Sequence, residues 1–176
     1  YEVERYERDK KTSLAPPELQ AIHPLGKSPV ITDGKVTVAE TGAIVEYLVE
    51  QAGDALRPAA GTPERHRYTY WLHFAEGSAM PPLVITSSPL ASLSSNRIKR
   101  APMPFFARPI AKAIADKVLD GFIKPDLKRQ LAFMESELAS RPWFTGRAFS
   151  AADVMMSFPL EAASSRGALK SNFPNL

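Results

Sequence analysis

Two dipeptides in the first quarter of the chain carry the residue types best suited to chemistry. Glu40–Thr41 follows a β-branched run and opens a helical pattern, which puts Thr41 at a helix start. Backbone N–H groups left free there, together with the helix dipole, favour an anion. Glu40 stands directly before that start with a carboxylate. The second dipeptide, Ser28–Pro29, sits in the turn-rich connector Leu25–Pro29, with Lys27 just before it. Taken singly, a Glu-Thr pair is an ordinary helix start, Lys27 a surface lysine and Ser28–Pro29 a trans loop bond. It is their order that is unusual: turn, proline, strand, Asp-Gly, strand, Glu-Thr, amphipathic helix.

Other chemical residues read as structural. Ser150 and Asp153 form an S-x-x-D capping box, with Phe149 and Val154 in register as a hydrophobic staple. Asp153 is therefore expected to cap a helix, not to catalyse. His66 and His73 share a helical spacing, but nothing supplies the further ligands of a metal site, and no metal is expected. Arg97, Lys99, Arg100 and Arg108 cluster without any nucleic-acid motif and read as a solvated basic loop.

The elements that must position these residues follow from periodicity and breakers. Tyr1–Arg8 alternates apolar and charged residues as a short strand does. Pro16–Pro17 open a helix over Glu18–Ile22, which stops at His23–Pro24. Val30–Thr32 and Lys35–Ala39 flank Asp33–Gly34 as a hairpin. A helix then runs from Thr41 to about Gln51, with Gly53 as its C-cap. The order β-α-β-β-α ends there, and helical patterns follow. They cover Pro63–Gly77, Met80–Val84 beyond a Pro81–Pro82 interruption, Ile110–Ala139 with Gly121 and Pro125 as kink points, and Ala151–Ser165. Thr86–Pro104 and Arg141–Gly146 read as loops. This gives an α/β domain over residues 1–53, a linker over 54–61 and an all-helical domain over 62–176. Three strands with two helices leave apolar faces that want another βα unit. The chain is therefore expected to be truncated or incomplete at its start, and its end also stops mid-pattern.

Composition restricts the class further. With 44% hydrophobic and 23% charged residues and a net charge of +3, the 176 residues are ordinary for a globular protein. There is no cysteine, so no disulfide holds the fold, which fits a reducing compartment. No apolar run is long enough to span a bilayer, and neither a membrane nor a nucleic-acid partner is expected.

The run PLGKSPVITDGKVTVAETGAIVEYL, Pro24–Leu48, resembles the glutathione S-transferase family. The runs WLHFAEG and WFTGRAFSAADVMMSFPL resemble its helical domain, and the likeness is greatest to a bacterial and fungal branch. The resemblance implies a partial thioredoxin-like domain followed by a helical bundle. It makes Ser28–Pro29 a cis-proline turn whose Ser28 backbone pairs with the cysteinyl part of glutathione. Lys27 would reach the glycine carboxylate, the Thr41 hydroxyl and N–H the γ-glutamyl carboxylate, and Glu40 the γ-glutamyl ammonium. Trp71, Phe74 and Phe105 would line a pocket for a hydrophobic co-substrate. The family's first strand and helix, which carry the Tyr, Ser or Cys facing the glutathione sulfur, find no match here, so no catalytic residue is named.

The implied activity is conjugation of the glutathione thiolate to a hydrophobic electrophile. Glutathione is the substrate, no cofactor is needed, and the protein would be a cytoplasmic, homodimeric detoxification enzyme. Its activity would depend on a residue absent from this sequence. Two alternatives stand beside it: a glutathione-dependent peroxidase or thiol–disulfide oxidoreductase, and a non-catalytic binding or interaction protein of the same fold.

Overall fold

The computed structural model describes residues 1–9, 12, 14–95, 103–166, 168–169 and 172–176. They form two compact units, Tyr1–Ala55 and Leu56–Leu176.

Proline and glycine set the boundaries of the first unit. Helix α1 (Pro17–Ile22) begins with proline at its first position and ends at His23, which is extended as the residue before Pro24 must be. Strands β1 (Val30–Asp33) and β2 (Val36–Ala39) pair antiparallel, with Val30 opposite Ala39 and Asp33 opposite Val36. The loop between them is Gly34–Lys35, one residue later than the sequence pattern places it. Gly34 has φ 57°, and a two-residue hairpin loop that needs a positive φ at its first position draws the glycine there. Asp33 is thereby left in the ladder.

Helix α2 (Thr41–Gln51) turns Ile44 and Val49 inward, 7% and 5% exposed, and packs on both strands. It closes on Gly53 at φ 69°, where Gly53 N–H donates to Glu50 C=O and Asp54 N–H to Val49 C=O. These are the paired bonds of a Schellman end, so the sequence-predicted cap is the one formed. Tyr1–Arg8 is not a strand: among the described residues the sheet has only β1 and β2. Alternation gives a segment a strand's side-chain pattern, but its N–H and C=O groups still need a neighbour to pair with.

In the second unit, Thr62 caps helix α3 (Pro63–Phe74), its hydroxyl oxygen accepting Arg65 N–H at 3.2 Å. The helix does not stop at Pro81–Pro82. A π-turn over Ala75–Ala79 lets Met80 N–H donate to Ala75 C=O, and helix α4 (Met80–Thr86) follows without a break. The wider turn makes room where a proline ring would otherwise meet the carbonyl four residues back. The same device recurs further on. Helix α6 (Arg108–Val118) passes through a π-turn at Leu119–Ile123 into helix α7 (Lys124–Leu138), just before Pro125. Between these two rods, Pro89–Ser94 forms a short helix, α5, in a stretch whose serines and prolines read as loop. It packs on α6, where the Ser94 hydroxyl donates to Asp116 Oδ1 and Lys112 Nζ donates to Asp116 Oδ2 at 2.6 Å. Arg97, Lys99 and Arg100 lie outside the described residues.

Helix α8 (Ala151–Ser165) packs along α3. Trp71 is at the centre of this unit with no exposed surface. Its indole stacks on Phe133 at 5.5 Å between centroids and meets Phe144 at 4.5 Å and Phe74 at 5.0 Å. Around the rim, Arg67 donates to Phe144 C=O through Nε and Nη2 (3.1 and 2.8 Å) and pairs with Glu137, which Arg141 also reaches at 2.7 Å.

Candidate functional site

The hairpin register is what assembles the predicted site. Pairing Val30 with Ala39 makes these two residues the last rung of the ladder. Opposed residues in such a rung lie about 5 Å apart. Ser28–Pro29 enters the rung on one strand, and Glu40–Thr41 leaves it on the other. Both dipeptides therefore emerge at the same end of the hairpin, twelve residues apart in sequence but adjacent in topology. The Ser28–Pro29 bond is cis. Lys27, Ser28, Pro29 and Glu40 are exposed and Thr41 is half-buried.

Glu40 is the N-cap of α2 and adopts φ 72°, ψ 126°. A side chain at such a φ costs about 1–3 kcal/mol, and such residues cluster at functional sites. The first intrahelical bond is Ile44 N–H to Glu40 C=O at 2.9 Å, and no side chain caps the helix. The N–H groups of Thr41, Gly42 and Ala43 are thus those of an uncapped first turn, and no acidic residue stands in that turn to neutralise it. The arrangement offers an anion the end of the dipole and the Thr41 hydroxyl, with the Glu40 carboxylate alongside for a cation.

The far end of the same hairpin is braced. Tyr47 on α2 donates its hydroxyl to Asp33 Oδ2 at 2.8 Å, and that hydrogen bond raises the phenol above its ordinary value. Sequence reasoning missed this contact. Its signal was the placement of Asp33 in the ladder instead of the loop. A depression of about 290 Å³ opens beside the turn, lined by Glu4, Tyr6, Arg8, Leu19, Gly26 and Ser28 among others. Tyr6 on its wall is held in the phenol form chiefly by a hydrogen bond to Glu4, and Tyr1 projects fully into solvent.

The residues expected to line a hydrophobic pocket are not brought together. Trp71 is wholly enclosed by Phe74, Phe133 and Phe144 and presents no surface to a ligand. An aromatic-rich helix buries its largest ring in the bundle core, where the area removed from water is greatest. Phe105 stands apart from that cluster, 79% exposed, its ring against Phe106 at 5.8 Å. Among the described residues, no group of three His, Asp or Glu side chains is placed to hold a metal ion.

Ser150 and Asp153 are buried, 2% and 8% exposed. Asp153 Oδ2 accepts the Ser150 N–H at 2.8 Å and the Ser150 hydroxyl at 2.9 Å, while Oδ1 accepts Phe144 N–H at 2.8 Å. The cap thus also fixes the tight turn Trp143–Gly146, a role that S-x-x-D spacing does not show. Phe149 packs edge-on to Trp143 at 4.9 Å, and it and Val154 stay 44% and 43% exposed.

The two units define a thioredoxin-like α/β domain, small in its sheet, joined in one chain to an all-helical domain. Residues 1–50 match the family model of the glutathione S-transferase N-terminal domain. Glutathione S-transferase 1 of Saccharomyces cerevisiae is 32% identical over 174 residues, which cover 94% of this chain and 71% of that protein. Glutathione S-transferase 3 of Schizosaccharomyces pombe is 35% identical over 164 residues, 93% of this chain, and the chain spans 64% of that relative's length. A glutathione S-transferase of Actinobacillus pleuropneumoniae has the same fold, with TM-score 0.68 and 28% identity over 97% of this chain and 69% of its own. So does a sphingomonad glutathione S-transferase solved with glutathione, with TM-score 0.64 and 25% identity over 97% of this chain and 75% of its own. The chain belongs to the glutathione S-transferase family.

Proposed function

We propose that the open end of the hairpin binds glutathione, and that the protein is a transferase joining its thiolate to a hydrophobic electrophile. The observation that carries this reading is the Val30–Ala39 rung, which sets Ser28–Pro29 beside Glu40–Thr41. In this reading the γ-glutamyl carboxylate takes the N–H groups at the head of α2 and the Thr41 hydroxyl. Glu40 takes the ammonium, the Ser28 backbone pairs with the cysteinyl amide as an added strand would, and Lys27 takes the glycine carboxylate. The protein's task toward the thiol is to favour ionisation. An ordinary thiol has a pKa of about 8.5, so hydrogen-bond donors to sulfur raise the thiolate fraction at neutral pH. The thiol proton passes to solvent, and the thiolate sulfur bonds to the electrophilic carbon as that carbon's bond to a leaving group such as halide breaks, the leaving group departing with the electron pair. No residue of this chain is assigned to the sulfur. Support also comes from the relatives named above, both glutathione S-transferases, and from the sphingomonad protein with glutathione bound. The reading extends to a cytoplasmic homodimer acting in detoxification.

Calorimetric titration with glutathione tests the site. Glu40→Ala and Thr41→Val should each weaken binding by about tenfold or more, as loss of a charge-assisted hydrogen bond does. Unchanged affinity in both variants would remove the assignment. Turnover of a generic aromatic electrophile by the parent then separates a transferase from a carrier.

A further inference from the structure

The depression beside the cis-proline turn has a mixed lining. Leu19, Pro16 and Val3 make part of it apolar, Leu19 from the buried core and Val3 from an exposed position. Arg5 and Arg8 line it as well, and both are exposed. Among the described residues no ion pair or side-chain hydrogen bond engages either guanidinium. Glu4 is the one acid in the lining, and the Tyr6 hydroxyl already donates to it. Two free cations therefore stand over an apolar floor with a single, engaged carboxylate between them in sequence.

This lining selects an amphipathic anion. At about 290 Å³ the space is at the lower end of small-molecule pockets, which run from about 300 Å³ upward, and suits a single ring. A planar carboxylate matches the fork of a guanidinium, and the hydrocarbon behind it takes the apolar floor. An inorganic anion would leave that floor unused, and a neutral ring would leave the cations unused. Ser28 ties the depression to the chemistry. It lines the depression and also carries the backbone proposed to pair with the cysteinyl part of glutathione. A ligand held there lies beside the part of the tripeptide that bears the thiol. Trp71, expected from sequence to line the co-substrate pocket, is enclosed in the helical unit, whereas this depression belongs to the same compact unit as Ser28–Pro29 and Glu40–Thr41.

We propose that the depression holds the co-substrate, and that this co-substrate is an aromatic electrophile bearing a carboxylate. The role as co-substrate site rests on the glutathione reading; the class of ligand rests on Arg5, Arg8 and the apolar floor. The carboxylate is an anchor and keeps its charge throughout. The ring carbon gains the glutathione sulfur and releases its leaving group with the electron pair.

Calorimetric titration of the whole chain with a chloronitrobenzoate tests it, with S-methylglutathione present at saturation because its blocked thiol prevents turnover. The benzoate should bind about tenfold or more tightly than the matching uncharged chloronitrobenzamide, and inorganic phosphate should not displace it. Arg5→Glu and Arg8→Glu should each weaken the benzoate by about tenfold or more. Lys35→Glu, the same charge change in the hairpin loop, should leave it unchanged. All three side chains are exposed, so each variant should melt as the parent does, and each should bind S-methylglutathione alone as the parent does. No affinity for S-methylglutathione would remove the glutathione reading and the co-substrate role with it. With S-methylglutathione bound, failure of the benzoate to bind, equal binding of the amide, displacement by phosphate or indifference to both arginine variants would overturn this proposal alone. So would loss of S-methylglutathione affinity in the arginine variants, which would give those cations to the carboxylates of the tripeptide.

Discussion

Tyr47 on α2 gives its phenolic proton to Asp33 in the hairpin at 2.8 Å, closing the hairpin against the helix at the end opposite Glu40 and Thr41. The bond raises the Tyr47 phenol, so the folded state holds this proton more tightly than the unfolded chain does. Its contribution is fully present below the ordinary tyrosine value of 10.0 and is lost as pH rises through the higher folded value. Melting curves of the parent should therefore fall on the alkaline side, and those of Tyr47→Phe should start lower and lose that dependence. Parallel alkaline profiles for the two would show the contact to be without weight.

Asp116 predicts the opposite window. Hydrogen bonds from Lys112 and then Ser94 hold its carboxyl below the usual 3.8. A depressed folded value contributes stability above the unfolded pKa and loses it as pH falls through the folded one. Protection from hydrogen exchange, relative to the intrinsic amide rate at each pH, should fall in α5 and the last turns of α6 in acid below the ordinary carboxylate range. Asp116→Asn should show fast exchange there already at neutral pH.

Asp153 is a stability residue. Truncation to Ala would leave the buried Phe144 and Ser150 N–H groups without their acceptor, at about 1–3 kcal/mol each. A loss of about 2–4 kcal/mol is expected for Asp153→Ala in urea titration followed by tryptophan fluorescence. Asp153→Asn, which keeps one acceptor oxygen, should lose less. A cap acting only on its own helix would cost about 1 kcal/mol, so the size of the loss separates the two roles.

Glu40 should trade stability against binding. Glycine tolerates φ 72° far better than glutamate, so Glu40→Gly relieves backbone strain and should raise the unfolding free energy by about 1 kcal/mol after the entropy cost of glycine, and the melting temperature with it. The same change removes the carboxylate proposed to meet the ammonium, so glutathione affinity should fall. A variant that is both less stable and undiminished in binding would refute the reading of Glu40 as a strained functional residue.

Local signals account for what the sequence alone determined. The hairpin, the start of α2 at Thr41, its end at Gly53 and the start of α8 at Ser150 each depend on a few neighbouring residues whose backbone preferences are set in place. The cis-proline turn and the Glu40–Thr41 helix start were legible for the same reason, and the match of residues 1–50 to the family's N-terminal domain bears out the family read from Pro24–Leu48. Tertiary structure decided the rest, because those questions turn on partners distant in the chain. Tyr1–Arg8 has a strand's alternation but no ladder to join. Pro81 and Pro125 look like breaks, yet a π-turn before each carries the rod onward, and bundle packing holds these wider turns. Trp71 looks like a pocket wall and is core, since only the placement of Phe133 and Phe144 shows which side of α3 faces inward. Asp153 reaches Phe144 because α8 packs against α3 beside that turn, and Asp33 meets Tyr47 because a one-residue shift in the loop keeps it in the strand. Spacing can name a residue's nearest neighbours along the chain; only burial and packing name the groups that close around it.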